Sequence, residues 1–261
     1  MLDSLKSYWR EYLMEAAGLG GFIIGASFLT VLLEHPDLFV MEGALGSHPL
    51  LRRIPLGLCL GAYITTVVYF IGKRSGAHIN PAVTLASLRI GKIETRIAAF
   101  YILAQFAGAT LAALLMTAVL GEFYAHPSIH YVTTESGREA GAVGKAFIAE
   151  FLISFILMFL VLIACHSKPL EKFVGILTGV LIAIYLIVET PYSGMSLNPA
   201  RSFASAFVAG QWRDLWIYFT APVFAMLLAA ELFLLIKRRG FHQASWFKES
   251  PCFPIKDSSS T

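Results

Sequence analysis

The tripeptide Asn-Pro-Ala occurs twice in this chain, at 80–82 and 198–200, and the two copies have similar surroundings. A Ser-Gly pair lies shortly before each copy, at 75–76 and 193–194. The two copies begin 118 positions apart (198 minus 80), which is close to half of the 261-residue chain. A motif that interrupts the apolar pattern at matching points in both halves predicts a fold of two repeats with a site between them.

The composition is typical of a membrane protein. Apolar residues make up 57% of the chain and charged residues 14%, whereas soluble domains carry roughly a quarter charged residues. The net charge of +3 comes without a basic block, so no nucleic-acid partner is expected. Apolar runs long enough to cross about 30 Å of hydrocarbon are present in both halves. We predict six transmembrane helices, near 11–33, 54–72, 97–120, 143–165, 171–190 and 212–236.

The distribution of Lys and Arg predicts the orientation. The segments on the side that holds both termini carry 14 of the 20 Lys and Arg residues, and basic segments are retained preferentially in the cytoplasm. We therefore expect a multi-pass protein of the plasma or inner membrane with both termini cytoplasmic. Three helices in each half give the halves opposite orientations, so the repeats must be inverted. The predicted parts are an N-terminus (1–10), a channel domain (11–236) with repeat 1 (about 11–120) and repeat 2 (about 143–236), and a cytoplasmic tail (237–261).

Each tripeptide begins an apolar stretch that is too short to span a membrane. Asparagine suits the N-cap of a helix, and proline suits the first helical position, where its missing N–H costs nothing. Each copy therefore predicts a re-entrant half-helix, one from each face, and the positive N-terminal ends meet near the midplane. The predicted pore residues are Asn80, Pro81, Ala82, Asn198, Pro199 and Ala200.

Non-helical backbone at that depth is tolerated where it lines a water-filled cavity or is buried in protein. The carbonyl groups of 75–79 and 193–197 then become acceptors along a pore, and the asparagine amides become donors at its centre. A neutral solute with oxygen lone pairs is held by these donors, whereas a cation meets a positive barrier. The pattern predicts a channel for water or polyols that excludes protons and ions.

Three ionisable residues are candidates for supporting the loops. Glu15 and Glu150 lie in the first predicted helix of each half, and a carboxylate within a span usually faces the bundle interior with partners. We expect both to accept hydrogen bonds from loop N–H groups, although Glu15 could instead be a surface charge in the headgroup region. His78 precedes the first motif by two residues, and it could be a structural histidine or a titratable gate.

These residues resemble the major intrinsic protein family, the aquaporins and aquaglyceroporins, over about 11–236. Besides the two motifs, the resemblance includes Ala-Gln-Phe-Ala-Gly-Ala at 104–109 and Trp-Ile-Tyr-Phe-Thr-Ala-Pro at 216–222. It implies an all-α membrane protein with six transmembrane helices and two half-helices in a right-handed bundle. It also implies a homotetramer with one pore in each subunit, passive flow of water and small neutral solutes across the lipid bilayer, and no cofactor.

In this family a narrowing of the pore is formed by four positions, which here correspond to Leu60, Leu186, Met195 and Arg201. Arg201 fits the family pattern, because its guanidinium offers donors to the solute and a charge against cations. Leucines replace an aromatic residue and a histidine, which makes the narrowing wider and more apolar, although Ser202 and Ala206 resemble the water-conducting branch. We expect a water channel that also passes small uncharged solutes, or alternatively a glycerol facilitator. A one-residue shift would place Tyr185 in the filter instead of Leu186.

The remaining features favour neither metal binding nor catalysis. Cys59, Cys165 and Cys252 show no paired or metal-like spacing, and the two that lie inside apolar runs, Cys59 and Cys165, are interpreted as packing residues. Loop 121–142 contains histidines and glutamates at irregular spacing, which is typical of a solvated loop. Motifs of a catalytic pocket are missing, so an enzyme is not expected. An ion-coupled transporter and a structural junction protein stay open as less favoured alternatives.

Overall fold

The computed structural model describes residues 2–38, 48–239 and 252, and these residues form helices joined by loops, with no strand. Six helices are long: α1 (Leu2–Glu34), α2 (Pro49–Ser75), α4 (Thr95–Leu120), α6 (Ala142–Cys165), α7 (Val174–Val188) and α10 (Leu215–Arg238). The half-helices α3 (Pro81–Arg89) and α9 (Pro199–Ala209) follow the two motifs. Single turns of helix complete the order: α5 (Glu122–Ala125), α8 (Thr190–Ser193) and 3-10 turns at Pro36–Leu38, His130–Val132 and Glu171–Phe173.

The six predicted transmembrane helices are confirmed, since six described helices are long and apolar enough to cross a membrane. The first helix differs at its start: α1 begins at Leu2 rather than near residue 11, with a local break at Tyr8. Residues 2–10 contain neither Gly nor Pro, so nothing in the sequence ends the helix there. Most of the predicted tail, 237–261, lies outside the described residues.

The packing of the helices has the pairing expected of two equivalent halves. Helix α1 packs on α4 in the first half, and α6 packs on α10 in the second half. The half-helices cross between the halves, because α3 packs on α10 whereas α9 packs on α4. Helices α2 and α7 form the largest contact of the bundle, across its centre. Each half therefore carries the other half's re-entrant segment, which fixes the two motifs relative to each other.

Glycines allow α2 and α7 to approach closely. A Cβ atom placed on Gly61 would collide with the carbonyl oxygen of Gly179, and one placed on Gly179 would collide with that of Gly61. Because the two backbones touch here, neither position has room for a side chain. Association of helices in a membrane depends on such close packing, since lipid offers no hydrophobic driving force.

The cysteines differ from the sequence-based interpretation. Cys165, the last residue of α6, forms a disulfide with Cys252, which lies 87 residues later and beyond the last helix. Cys59 is a free thiol on the exposed surface of α2 rather than a packed core residue. The spacing gave no sign of the pair, because the two cysteines are remote in sequence and only the fold brings them together.

Candidate pore site

Both half-helices begin at the asparagine of a motif. Asn80 and Asn198 have extended backbone conformations, and their side chains accept hydrogen bonds from the first turns of α3 and α9. The Oδ1 atom of Asn80 accepts from Ala82 N at 2.8 Å, and that of Asn198 accepts from Ala200 N at 3.0 Å. These are N-caps with proline at the first helical position. The backbone geometry predicted from the tripeptide is therefore present in both halves.

The two asparagines also join the halves to each other. Nδ2 of Asn80 donates to the carbonyl oxygen of Leu197 at 2.8 Å, and Nδ2 of Asn198 donates to that of Ile79 at 2.8 Å. An amide carries two hydrogens, so each asparagine has a second N–H that is not used in this exchange. Both asparagines line a cavity of about 670 Å³. The centre of this cavity can therefore present donors to a solute.

The loops before the motifs hold residues in the left-handed region of backbone conformation. Ala77 and Ile79 have φ of 47° and 41°, and Met195 and Leu197 at the matching positions have φ of 49° and 59°. For residues with a Cβ atom, this conformation costs roughly 1–2 kcal/mol each. Bonds from the surrounding protein must therefore hold the loops in place.

Glu15 and Glu150 supply these bonds, and both are fully buried. Glu15 accepts from the backbone N of His78 at 3.0 Å and of Ile79 at 2.5 Å. Glu150 accepts from the backbone N of Ser196 at 2.7 Å and of Leu197 at 2.8 Å. In each half the carboxylate thus holds the two residues that precede the motif asparagine. The buried location of Glu15 argues against the surface alternative.

Several supporting residues escaped the sequence analysis. Ser75 donates to Glu15 at 2.9 Å, and Ser193 donates to Glu150 at 2.6 Å. Tyrosines of the third and sixth long helices then hold the carbonyl groups of these serines. The bonds are Tyr101 Oη to Ser75 O at 2.9 Å and Tyr218 Oη to Ser193 O at 2.6 Å. The sequence shows the two serines as the matching Ser-Gly pairs before the motifs, 118 positions apart (193 minus 75), but it gives no sign of their bonds to the glutamates and tyrosines.

The four filter residues taken from the family pattern fall into two groups. Arg201 and Met195 line the cavity, although only 5% and 2% of their surfaces are exposed. Nη1 of Arg201 is buried and has no hydrogen-bond partner among the described residues, so the guanidinium keeps a donor that this part of the chain does not use. Leu60 and Leu186 are buried in the hydrophobic core and do not belong to the described lining of this cavity.

Tyr185, the alternative to Leu186, is also buried, and its hydroxyl finds no partner in the described part of the chain.

His78 combines a cavity-lining position with structural contacts. Its Nδ1 atom lies 3.1 Å from Thr84 Oγ1, and its ring packs edge-on against Tyr101. Gln105 also donates to Thr84 Oγ1, at 3.0 Å. The imidazole is 2% exposed, so it belongs to a packed hydrogen-bonding group behind the loop. These contacts favour the structural interpretation of His78 over a gate.

Sequence comparisons find relatives along most of the chain. A sequence model of the family described as Major intrinsic protein matches residues 5–233. Aquaporin-4 of Mus musculus is 32% identical over 247 residues, which cover 89% of this chain and 70% of that protein. Aquaporin NIP1-2 of Oryza sativa subsp. japonica is 33% identical over 187 residues, which cover 69% of this chain and 60% of that protein. The chain therefore spans less than two thirds of this plant relative.

A solved structure has the same architecture. The X-ray structure of the aquaglyceroporin from Plasmodium falciparum has a TM-score of 0.69 with this chain and covers 88% of it, and 95% of that protein is covered. The two sequences are 21% identical, so this likeness shows the fold alone. It confirms the predicted all-α fold of six transmembrane helices and two re-entrant half-helices.

Proposed function

The chain belongs to the major intrinsic protein family, and on this premise we propose that it is a passive channel for water and other small uncharged solutes. Members of this family are passive channels rather than enzymes. The observation that carries the proposal is the cavity in which Asn80 and Asn198 meet at the N-terminal ends of two half-helices. A neutral water molecule in this cavity can accept hydrogen bonds from the asparagine amides.

Electrostatics supports the exclusion of ions and protons. The N-terminal ends of α3 and α9 each carry partial positive charge, and Arg201 adds a full positive charge on the wall of the cavity. A cation or hydronium ion would have to shed its water against these charges, whereas water exchanges its hydrogen bonds with amide donors. The channel should therefore conduct neutral solutes alone.

The principal alternative is a glycerol or small-solute facilitator with water as a secondary solute. It is favoured by Met195, a flexible apolar side chain on the cavity wall, because an apolar surface suits the carbon backbone of a polyol better than hydrogen-bond donors do. The sequence relatives are named aquaporins, whereas the structural neighbour is named an aquaglyceroporin. We place water first because the donors at the centre suit it best.

An ion-coupled transporter is less well supported. Coupling needs an ionisable group that exchanges partners with the ion near the midplane. The carboxylates nearest the motifs, Glu15 and Glu150, accept hydrogen bonds from the loops on both of their oxygens. They are therefore part of the framework and are not available to a passing ion.

A stopped-flow experiment tests the proposal. Proteoliposomes should show rapid osmotic water flux without any ion gradient, and a pH-sensitive dye inside them should report no proton leak that grows with that flux. Val83 lines the cavity next to the first motif, so Val83→Trp should block it. Leu111→Trp, on the exposed outer surface of α4, is the matched control and should conduct normally.

The outcomes separate the candidates. Equal flux in the two tryptophan variants would show that water does not pass through this cavity, and the channel proposal would be wrong. Glycerol flux much faster than water flux would favour the facilitator. Ammonia and urea, measured in the same vesicles, define the size limit.

We further propose a homotetramer in the plasma or inner membrane, with both termini in the cytoplasm. The exposed faces of the long helices are strongly apolar, which suits both lipid and neighbouring subunits. Cross-linking in native membranes would test the tetramer, and protease access to a tag on each terminus would test the orientation.

A further inference from the structure

Glu189 is a buried carboxyl group that the pore architecture does not require. It follows Val188, the last residue of α7, directly and is 6% exposed. The matching position in the first half, 118 residues earlier, is Ile71. Arg201 is similarly unmatched, because its counterpart is Val83. The second half alone therefore carries a buried carboxyl group together with a buried guanidinium.

The hydroxyl of Ser193 lies between two carboxyl groups. Its Oγ atom is 2.6 Å from Oε1 of Glu150 and 2.5 Å from Oε1 of Glu189, and it also lies 3.2 Å from the backbone N of Met195. A serine hydroxyl has one hydrogen and two lone pairs. The Met195 N–H uses one lone pair, and the hydroxyl hydrogen serves one carboxyl oxygen. The other carboxyl group must therefore bring a hydrogen of its own.

The surroundings place that hydrogen on Glu189. Both oxygens of Glu150 accept from fixed backbone N–H groups, those of Ser196 and Leu197, and such bonds favour the ionised form. Oε2 of Glu189 has no hydrogen-bond partner among the described residues. A buried oxygen without a donor is tolerated far better by a neutral carboxylic acid than by a carboxylate.

The balance of charge agrees with this assignment. The charged or titratable groups that act on Glu189 are Glu150 on α6, Arg201 on α9 and Tyr218 on α10. With Glu189 neutral, the charges of Glu150 and Arg201 cancel. Burial raises the pKa of Glu189, and the nearby charge of Glu150 adds to the rise, whereas Ser193, the backbone N–H of Met195 and the charge of Arg201 lower it by smaller amounts. Ionisation of Glu189 at alkaline pH would leave a net negative charge on the group formed by Glu150, Glu189 and Arg201.

We propose that Glu189 is a positioning residue that carries a proton at neutral pH and donates it to Ser193. This inference rests on the proposed channel function. The bonded chain runs from the Glu189 hydroxyl to Ser193 Oγ, and from the Ser193 hydroxyl to Glu150, which holds the loop before Asn198. At alkaline pH Glu189 loses its proton, and two carboxylates compete for one hydroxyl hydrogen. The loop before Asn198 is then held less firmly, and the two negative charges of Glu150 and Glu189 exceed the single positive charge of Arg201.

The test compares three variants over a range of pH. Glu189→Gln keeps a neutral donor toward Ser193 at every pH, whereas Glu189→Ala removes the donor. Glu122→Gln changes the exposed glutamate that begins the short helix α5 and serves as the matched control. Osmotic water permeability of proteoliposomes is measured from about pH 6 to about pH 10, across the range in which Glu189 is expected to ionise.

Wild type and Glu122→Gln should lose about threefold to tenfold of their water permeability, reversibly, as the pH rises above about 8. The water permeability of Glu189→Gln should equal that of wild type at neutral pH and stay constant with pH. The water permeability of Glu189→Ala should be low at every pH. A purely structural Glu189 would lower the permeability of the glutamine variant without flattening its profile. A wild-type profile without an alkaline fall, or one that persists in Glu189→Gln, would overturn the inference.

Infrared spectroscopy provides a readout that is independent of flux. A protonated carboxyl group has its own C=O band. Alkaline titration of wild type should remove one component of this band, and Glu189→Gln should lack that component. If wild type shows no water flux at any pH, the channel proposal fails, while the infrared component still reports on Glu189. If flux is present and the component is missing, the channel proposal stands and the inference about Glu189 is wrong.

Discussion

Met195 and Arg201 are the two filter candidates whose side chains contribute to the cavity wall. They differ in what they offer a solute, because a guanidinium donates hydrogen bonds in fixed directions whereas a thioether adapts its shape and offers almost no polarity. A solute that passes them must accept a hydrogen bond from Arg201 and tolerate the apolar surface of Met195. Water does so at little cost, and a small polyol can do so with its carbon backbone toward Met195.

The contrast between Met195 and Leu60 gives a selectivity prediction. Met195→Ala removes bulk from the cavity wall, so the ratio of glycerol to water permeability should rise by about twofold to tenfold. Leu60 is buried in the hydrophobic core and does not belong to the described lining of the cavity, so Leu60→Ala should cost roughly 2–5 kcal/mol of stability and leave the ratio unchanged. Stopped-flow light scattering gives the ratio, and thermal unfolding in detergent gives the stability.

The opposite result would identify a different narrowing. If Leu60→Ala raises the ratio of glycerol to water permeability and Met195→Ala does not, Leu60 lines the narrowest part of the pathway in the membrane. The contribution of Leu60 and Leu186 to the filter stays a prediction until that measurement.

Helices α2 and α7 meet through direct backbone contact at two glycines. The contact of α2 with α7 is the largest in the bundle and passes through Gly61 and Gly179. Because both helices also lead into the re-entrant loops, their separation sets the position of Asn80 and Asn198. A shift of one helix would therefore reach the pore directly.

Replacing a glycine tests this contact. Gly179→Ala places a methyl group against the backbone of Gly61, so it should destabilise the fold by about 1–3 kcal/mol and lower water permeability. Gly144→Ala is the matched control, because a Cβ atom there meets nothing within 4 Å; it should be neutral or stabilise by up to about 1 kcal/mol through helix propensity. Thermal unfolding and flux are measured on both. Similar behaviour of the two variants would show that α2 and α7 can separate without loss.

Local chemistry explains which elements the sequence could predict. The long helices follow from apolar length, and the starts of α3 and α9 follow from Asn-Pro, because these signals depend on neighbouring residues. Partners that are remote in sequence gave weaker signals. The bonds of Tyr101 and Tyr218 to the serine carbonyl groups depend on how the helices pack. Counting positions from a motif cannot supply that packing.

The whole molecule is less symmetric than its two motifs. Both halves hold a loop with a buried glutamate, a serine and a tyrosine, yet Arg201 and Glu189 occur in the second half alone. The disulfide adds a further difference, because Cys252 lies beyond the last helix and packs against the core at the end of α6. Cys165 and Cys252 both line the cavity. Cys252 therefore takes part in the wall of the pathway although it lies beyond the last described helix.

This arrangement predicts how mercurials act on the channel. A thiolate is the reactive form of cysteine, so the oxidised protein, with Cys165 and Cys252 paired and Met195 on the wall, should resist mercuric chloride. Reduction with a phosphine, followed by its removal, should free two thiols in the cavity and make water flux sensitive to mercury. Cys59→Ser should behave as wild type because Cys59 lies on the outer surface, whereas Cys252→Ser should be sensitive without reduction through Cys165. Inhibition of the oxidised wild type that disappears in Cys59→Ser would instead show that mercury acts from the lipid-facing side of α2.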